Sequence, residues 1–340
     1  MAFARRLSVL SAALIAVSVP SAAIAASHSG NAIAASRSGN ATVSRLVTGL
    51  QGGLGSTVGP DGALYVTETA AGRITRVDPQ TGATTTYAEG LPKPVIGLGG
   101  ATDIAFLGHT AYVLVTLVGP DVGGSDIDGI YRVDGPHRFT VVANIGQFAI
   151  NHPPATSFEV PSGLQFALQP YRGGFLVTDG HHNRVYRVTL DGTVTQLIAF
   201  GNIVPTGLAV RGNTIDMAEA GPVPHLPETG KVVSFGPTSA TATEVASGSP
   251  LLVDVEFGRG RTLYALSQGV GSGGPPGSPA VPDTGALVRV NGDGTFTVVT
   301  AGLDRPTSLE FIGTTAYVVT LGGDIWKIDG ASGPPYGVPR

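Results

Sequence analysis

The chain has 340 residues, 50 of them Gly and 25 Pro, with 42% apolar and 13% charged side chains and a net charge of −4. That much apolar material supplies a core and excludes a disordered chain, and the lack of Cys removes disulfide frameworks, thiolate zinc sites and cysteine nucleophiles. The 20 Lys and Arg are scattered, so there is no basic footprint for nucleic acid.

At the start of the chain, Arg5 and Arg6 precede an apolar run from Leu7 to Val19 and a small-residue site at Ala23-Ile24-Ala25. This is the pattern of a secretory signal over residues 1–25, and the run is too short for a permanent membrane span. A secreted or extracytoplasmic protein with no membrane span is expected. The segment from Ala23 is nearly duplicated from Ala32 to Asn40, and residues 26–42 read as a small, polar, flexible lead-in.

From residue 43 onward, short strand-type runs recur in a fixed order. An opening run appears as Pro161-Ser162-Gly163-Leu164, Pro205-Thr206-Gly207-Leu208 and Pro306-Thr307-Ser308-Leu309, with weaker copies near Gly55, Thr102 and Val253. A second run follows, as in Ala63-Leu64-Tyr65-Val66, Thr262-Leu263-Tyr264-Ala265 and Thr315-Ala316-Tyr317-Val318. A third is exemplified by Arg184-Val185-Tyr186-Arg187-Val188 and a fourth by Thr295-Phe296-Thr297-Val298-Val299. Turn residues such as Asp191-Gly192 separate the runs, and no helical period is evident.

Four strands per unit at about 48 residues over residues 41–330 is the arithmetic of a six-bladed β-propeller. The sixth unit has only three strands. Its fourth is supplied by Ser44-Arg45-Leu46-Val47-Thr48-Gly49-Leu50, which resembles Val298-Val299-Thr300-Ala301-Gly302-Leu303. An all-β ring over residues 43–330 is therefore expected, closed by the N-terminal strand and followed by a tail at residues 331–340.

In such a ring, the second-to-third connections and the links between blades emerge on one face. The long insertions, residues 118–128, 146–160, 221–228 and 268–283, are all of these kinds. Insertions gathered on one face mark it as a binding face for a small molecule, polymer or protein, with the protein itself expected to be a monomer. Candidate ligand-binding residues on that face are His152, Asp179, His181, His182, Glu219 and His225. Four imidazoles above one ring have the chemistry to hold a metal or exchange protons, although loop histidines are also commonly just solvated. Glu68, Asp179 and Glu219 share one repeat position, the end of the second strand. That recurrence points to an architectural role, with Arg76, Arg132, Arg187, Arg289 and Lys327 as the expected partners. Asp121, Asp126 and Asp128 place three hard oxygen ligands in one loop, a chemistry that suits Ca2+. The spacing lacks the final Glu of a calcium loop and reads first as an acidic turn.

The segment Leu176-Val177-Thr178-Asp179-Gly180-His181-His182-Asn183-Arg184-Val185-Tyr186 resembles the blade signature of NHL-type repeats. Taken whole, residues 43–330 resemble the secreted ScyD/ScyE-type propellers, within the NHL- and SMP-30-like six-bladed class. The resemblance implies fold and compartment and assigns no settled catalytic role. Lactonases similar to gluconolactonase hold a divalent cation at the channel mouth with Glu, Asn and Asp. The corresponding positions here read as Gly55, Thr102, Ser162, Thr206, Val253 and Thr307, which supply no charge. Asp103 and Asp254, one residue further on, would flank a channel-mouth cation such as Ca2+ only in a narrow channel. An exported binding scaffold is thus the leading expectation, and a metal-dependent lactonase or esterase-type hydrolase is the alternative.

Overall fold

The structure, a computed structural model, describes residues 41–155, 160–275 and 277–334. The secretory signal and nearly all of the lead-in lie outside the described residues, as does the tail beyond residue 334.

Six four-stranded antiparallel sheets make up the fold. β1 (Thr42–Val47) precedes blade one, which holds β2 (Gly53–Val58), β3 (Leu64–Glu68), β4 (Arg73–Val77) and β5 (Thr84–Glu89). Blade two is β6 (Gly100–Leu107), β7 (Thr110–Thr116), β8 (Gly129–Gly135) and β9 (Arg138–Asn144). Helix α1 (Ile145–Asn151) leads to blade three, built of β10 (Gln165–Tyr171), β11 (Gly174–Asp179), β12 (Arg184–Val188) and β13 (Val194–Ala199). Blade four comprises β14 (Pro205–Arg211), β15 (Thr214–Glu219), β16 (Lys231–Phe235) and β17 (Thr243–Ser247). Blade five comprises β18 (Leu252–Phe257), β19 (Leu263–Ser267), β20 (Gly285–Val290) and β21 (Phe296–Leu303). In blade six, β22 (Pro306–Ile312), β23 (Thr315–Thr320) and β24 (Ile325–Asp329) are completed by β1, in the order β22-β23-β24-β1. The six-bladed propeller and its closure by the N-terminal strand are as the repeats require. Arg45 on β1 lies over the Trp326 ring on β24, 4.7 Å from its centroid, which adds a cation–π contact to the closing ladder.

Apolar residues at alternate strand positions pack between blades, because a blade turns one face to each neighbour. Each of the six interfaces has its own cluster of buried side chains. Tyr65 and Ile74 of blade one meet Ile104 and Val113 of blade two, for example, and Val319 of blade six meets Val66 of blade one. At about 1.5–3 kcal/mol per fully buried large side chain, these interfaces carry the stability of the ring.

One feature departs from the sequence expectation. A helix of seven residues, α1, sits in the connection from β9 to β10, capped by the Asn144 side chain accepting the Gln147 amide at 2.9 Å. Two turns are too short to leave a readable helical period.

Candidate functional site

The first strand of each blade lines the central channel, and the strand registers show which residues are equivalent. Glu256 pairs with Tyr264, Glu310 with Tyr317, Ala105 with Tyr112 and Thr57 with Tyr65. Two residues earlier on each strand stand Gly55, Asp103, Ala167, Gly207, Asp254 and Ser308. Gly55 therefore belongs to the Asp103 ring, and the ring nearest the loop-bearing face consists of Leu54, Thr102, Phe166, Thr206, Val253 and Thr307. This corrects two expected positions. Ser162 precedes β10 and Phe166 takes its place, because the opening run of blade three is displaced by the insertion before it.

That mouth ring is closed chemically. Thr206 Oγ1 donates to the Ala218 and Leu252 carbonyls at 3.0 and 2.9 Å, and Thr307 Oγ1 donates to Gly53 and Val319 at 3.3 and 3.2 Å. Thr102, Thr206, Val253 and Thr307 are all buried.

Asp103 and Asp254 are committed in the same way. Asp103 Oδ1 accepts its neighbour's Ile104 amide at 2.8 Å, and Oδ2 accepts the Leu168 amide of blade three at 2.7 Å. Asp254 Oδ1 accepts Val255 at 2.9 Å, and Oδ2 accepts Leu309 of blade six at 2.7 Å. Ser308 extends the pattern, since its Oγ accepts the Ser56 amide of blade one at 3.1 Å. Further along the channel, towards the short-turn face, Glu256 and Glu310 join the two aspartates around a cavity of about 50 Å3. Gln169, Ser56 and Ser308 also line it, and no Lys, Arg or His does. Burial in this narrow space raises all four carboxyls, with Asp254 pushed up to about 7 and Glu256 to about 8. Composition and patterning alone do not single out Glu256 or Glu310. The available signal was their two-residue spacing from Asp254 and Ser308 on strands whose alternate positions face the channel.

On the loop-bearing face the expected histidines do not converge. His152 stacks on Phe148 with centroids 4.2 Å apart, and its Nδ1 is 2.9 Å from the Phe148 carbonyl. His225 Nδ1 turns back to the Gly221 carbonyl at 2.7 Å. His182 is buried and sits 5.8 Å from the His181 ring centroid to centroid. Asp179 and His182 belong to a network inside blade three. Asp179 accepts the Leu164 and His182 amides at 3.1 and 2.9 Å and the Tyr186 hydroxyl at 2.8 Å. Arg184 donates to Tyr186 Oη at 2.6 Å, to His182 Nδ1 at 3.0 Å and to the His152 carbonyl at 2.8 Å. His182 Nε2 lies 3.2 Å from the Val160 carbonyl, so the network holds both the C-terminal end of α1 and the last residue of the insertion that bears it. Burial lowers the His182 pKa, consistent with a neutral ring.

The recurring acids at the ends of the second strands have different partners from those expected. Glu68 is bound by Arg73, through Nε at 3.0 Å and Nη2 at 2.8 Å, by the Gln51 amide at 2.7 Å and by the Thr75 hydroxyl. Arg76, the expected partner, serves Asp61 on the opposite face, and Arg132 serves Asp134. Glu219 occupies the same register opposite Lys231, whose ammonium goes instead to Glu244 at 2.6 Å. Burial pushes Glu219 up to about 7.

What the loop-bearing face does present is apolar surface. Val95, Ile96 and Leu98 on the β5–β6 link, Ile150 on α1, Val223 and Leu226 between β15 and β16, and Val270 and Val281 between β19 and β20 are all exposed large hydrophobics. Among the described residues only Val43, Val141 and Leu190 are comparable elsewhere. The β19–β20 connection also crosses the mouth. A Cβ on its Gly271 would stand 2.5 Å from the Pro224 carbonyl oxygen of blade four, and one on Gly277 would stand 3.7 Å from Leu98, on the opposite side of the ring.

Among the described residues, no three His, Asp or Glu side chains converge to hold a metal ion, and no helix is long and apolar enough to cross a membrane. No family model and no curated protein matches the chain. Solved structures do. A gluconolactonase from Xanthomonas campestris aligns with a TM-score of 0.60 at 14% identity, covering 88% of this chain and 93% of that one. A luciferin-regenerating enzyme gives 0.60 at 11% identity over 88% of this chain and 98% of the other. Virginiamycin B lyase from Staphylococcus aureus gives 0.53 at 14% identity over 85% and 99%. At these identities the likeness establishes the fold alone, a six-bladed β-propeller.

Proposed function

We propose that this protein is an exported propeller scaffold of the ScyD/ScyE type that binds a small ligand, polymer or protein partner on its loop-bearing face. The observation that carries the reading is the concentration of exposed apolar side chains on that face, from four separate connections. A soluble surface ordinarily disperses such residues, and a patch of them marks an interaction site. At the channel mouth, by contrast, the threonine hydroxyls donate to blade carbonyls and both aspartates accept blade amides. The test is binding of an apolar fluorophore and of a panel of polysaccharides and apolar small molecules to the purified protein. Leu98→Ser with Val270→Ser is expected to abolish binding that Leu190→Ser, on the opposite face, leaves intact. Equal loss in both variants would refute the assignment to this face.

A second reading, a metal-dependent lactonase or esterase-type hydrolase, is favoured by one observation. The channel holds four carboxyls, two of them poised near 7 and 8, the range useful for proton transfer. The proteins named above as gluconolactonase and luciferin-regenerating enzyme share the fold. Turnover of a lactone panel that requires Ca2+, Mn2+ or Zn2+ and disappears in Asp254→Ala would establish this reading over the scaffold.

A further inference from the structure

Most of the exposed apolar side chains of the loop-bearing face join into one strip. The Val281 amide donates to the Val270 carbonyl at 2.8 Å, which sets those two valines side by side at the base of the β19–β20 connection. Gly271, next along, rests on Pro224, between Val223 and Leu226 of blade four, and Gly277 meets Leu98 across the ring. From Leu98 the strip continues through Ile96 to Val95, where a Cβ on Gly124 would stand 3.0 Å from Val95 Cγ2. Gly271 and Gly277 are six residues apart, so the crossing is no longer than about 22 Å. Every large apolar side chain exposed along it is aliphatic.

The charge bordering this strip has one sign. Among the described residues, the connections on this face carry seven Asp and Glu against two Lys and Arg. Arg305 is engaged by Asp304, through Nε at 2.6 Å and Nη2 at 3.0 Å, and the other base is Lys93. Gly124 sits between Asp121 and Asp126, both exposed, at one end of the strip. Glu228, two residues past Leu226, is exposed at the other. None of these three acids has an ion-pair partner among the described residues. Asp128 differs from them: it is buried, accepts the Val118 amide at 2.8 Å and belongs to the turn.

We infer that the loop-bearing face takes a basic amphipathic peptide segment of another protein, with aliphatic side chains along the strip and Lys or Arg at both ends. The inference rests on that face being the binding face, as proposed above, and adds the chemistry of its occupant. A strip of this length with acid at each end matches about six extended residues or a helix of about 14. Aliphatic contact supplies the affinity, and the acids select the sign of the partner and speed its approach. The same acids repel nucleic acid, anionic lipid headgroups and the matching face of a second copy.

The probe is a fluorescent helical peptide of about 14 residues, built of Leu on one face and Lys on the other with Lys at both ends. One control peptide has Glu for every Lys and another has Ser for every Leu. Fluorescence anisotropy on the purified protein should show saturable binding of the Leu-Lys peptide, and either control should bind at least about tenfold more weakly. Asp121→Asn with Asp126→Asn and Glu228→Gln should weaken the Leu-Lys peptide about tenfold. Leu98→Ser with Val270→Ser should weaken it at least as much, while Glu89→Gln with Leu190→Ser, away from this face, should leave it unchanged. Thermal unfolding checks that each variant is folded. Equal affinity for the Glu peptide, or full affinity in the acid-neutralised variant, would overturn the inference and leave the apolar face standing. Leu-Lys binding that survives Leu98→Ser with Val270→Ser would overturn it as well, and if the apolar fluorophore also still binds that variant, the binding face itself falls. Self-association abolished by the same pair of substitutions would put a second copy on the strip instead.

Discussion

Asp103 and Asp254 occupy the same channel ring on opposite blades, and each accepts, at 2.7 Å, the amide one position further along the first strand of the following blade. The residue before each of them in that ring is also the same. Gly55 of blade one and Gly207 of blade four lie so close to the Asp103 and Asp254 side chains that neither has room for a Cβ. Around the channel the order is Gly55, Asp103, Ala167, then Gly207, Asp254, Ser308. The two half-rings of three blades are thus locked by the same device.

Gly207→Ala and Gly55→Ala should therefore destabilise the ring by about 1–3 kcal/mol each, as overpacking against a fixed backbone does. Gly201→Ala has nothing within 4 Å and no positive φ, so it should stay within about 0.5 kcal/mol. Urea unfolding of the three variants checks both expectations.

Stability should fall as pH rises from about 4 to about 8. Folded-state values of about 7 for Asp254 and about 8 for Glu256 lie above those of the unfolded chain. The folded protein therefore holds more protons than the unfolded one between the unfolded values near 4 and the folded ones, and stability declines across that interval and levels off above about pH 8. Asp254 alone, moved from 3.8 to about 7, corresponds to a shift on the order of 4 kcal/mol. His182, whose pKa is lowered, acts the other way, but only below its unfolded value near 6.5. Thermal unfolding across this range should show the decline in the parent protein and a flatter profile in Asp254→Asn with Glu256→Gln.

Glu68 and Glu219 share a register and should respond oppositely to the same change. Glu68→Gln breaks a buried carboxylate away from Arg73, whose side chain is 29% exposed. The loss should be about 2–3 kcal/mol, below the ~3–5 typical of a fully buried pair. Glu219→Gln removes an acid held near 7 by burial, and at pH 8 it should stabilise by about 1 kcal/mol. Chemical denaturation at pH 8 separates the two.

Arg184→Met should free the insertion bearing α1 without loosening the ring. Arg184 holds the His152 carbonyl and His182 faces that of Val160, so hydrogen exchange should accelerate over residues 145–164 while β10 and β11 stay protected.

The blade count and the closing strand were legible because each depends on local repetition. The match between residues 44–50 and 298–303 needs no knowledge of packing. Channel register was harder. The first strands carry bulges, as between Gln165 and Leu168, and a long insertion precedes β10. Ser162 therefore looked equivalent to Thr206, while Phe166 actually holds that place. The partner of Glu68 differs from the one that the repeat suggests by three residues along β4. Arg73 lies directly opposite on the ladder, whereas Arg76 points to the far face and Asp61. The surroundings of the histidines were hidden for a different reason. Sequence places His152, His182 and His225 on one face, but His152 and His225 each set a ring nitrogen against a carbonyl four residues back and His182 sets one against the Val160 carbonyl, and such side-chain-to-backbone contacts leave no trace in spacing.

Because β1 is hydrogen-bonded to β24, from the Thr42–Asp329 pair to the Val47–Ile325 pair, the first strand synthesised must wait for the last. Until Asp329 has been made, the opening strand has no ladder to join and blade six stays incomplete, while blades one to five each have all four strands in hand. Closure of the ring is thus coupled to synthesis of β24. A ribosome stalled before β24 would leave an open arc with two bare edges, and cutting the folded protein in a turn such as Asp191-Gly192 should leave the β1–β24 seam intact.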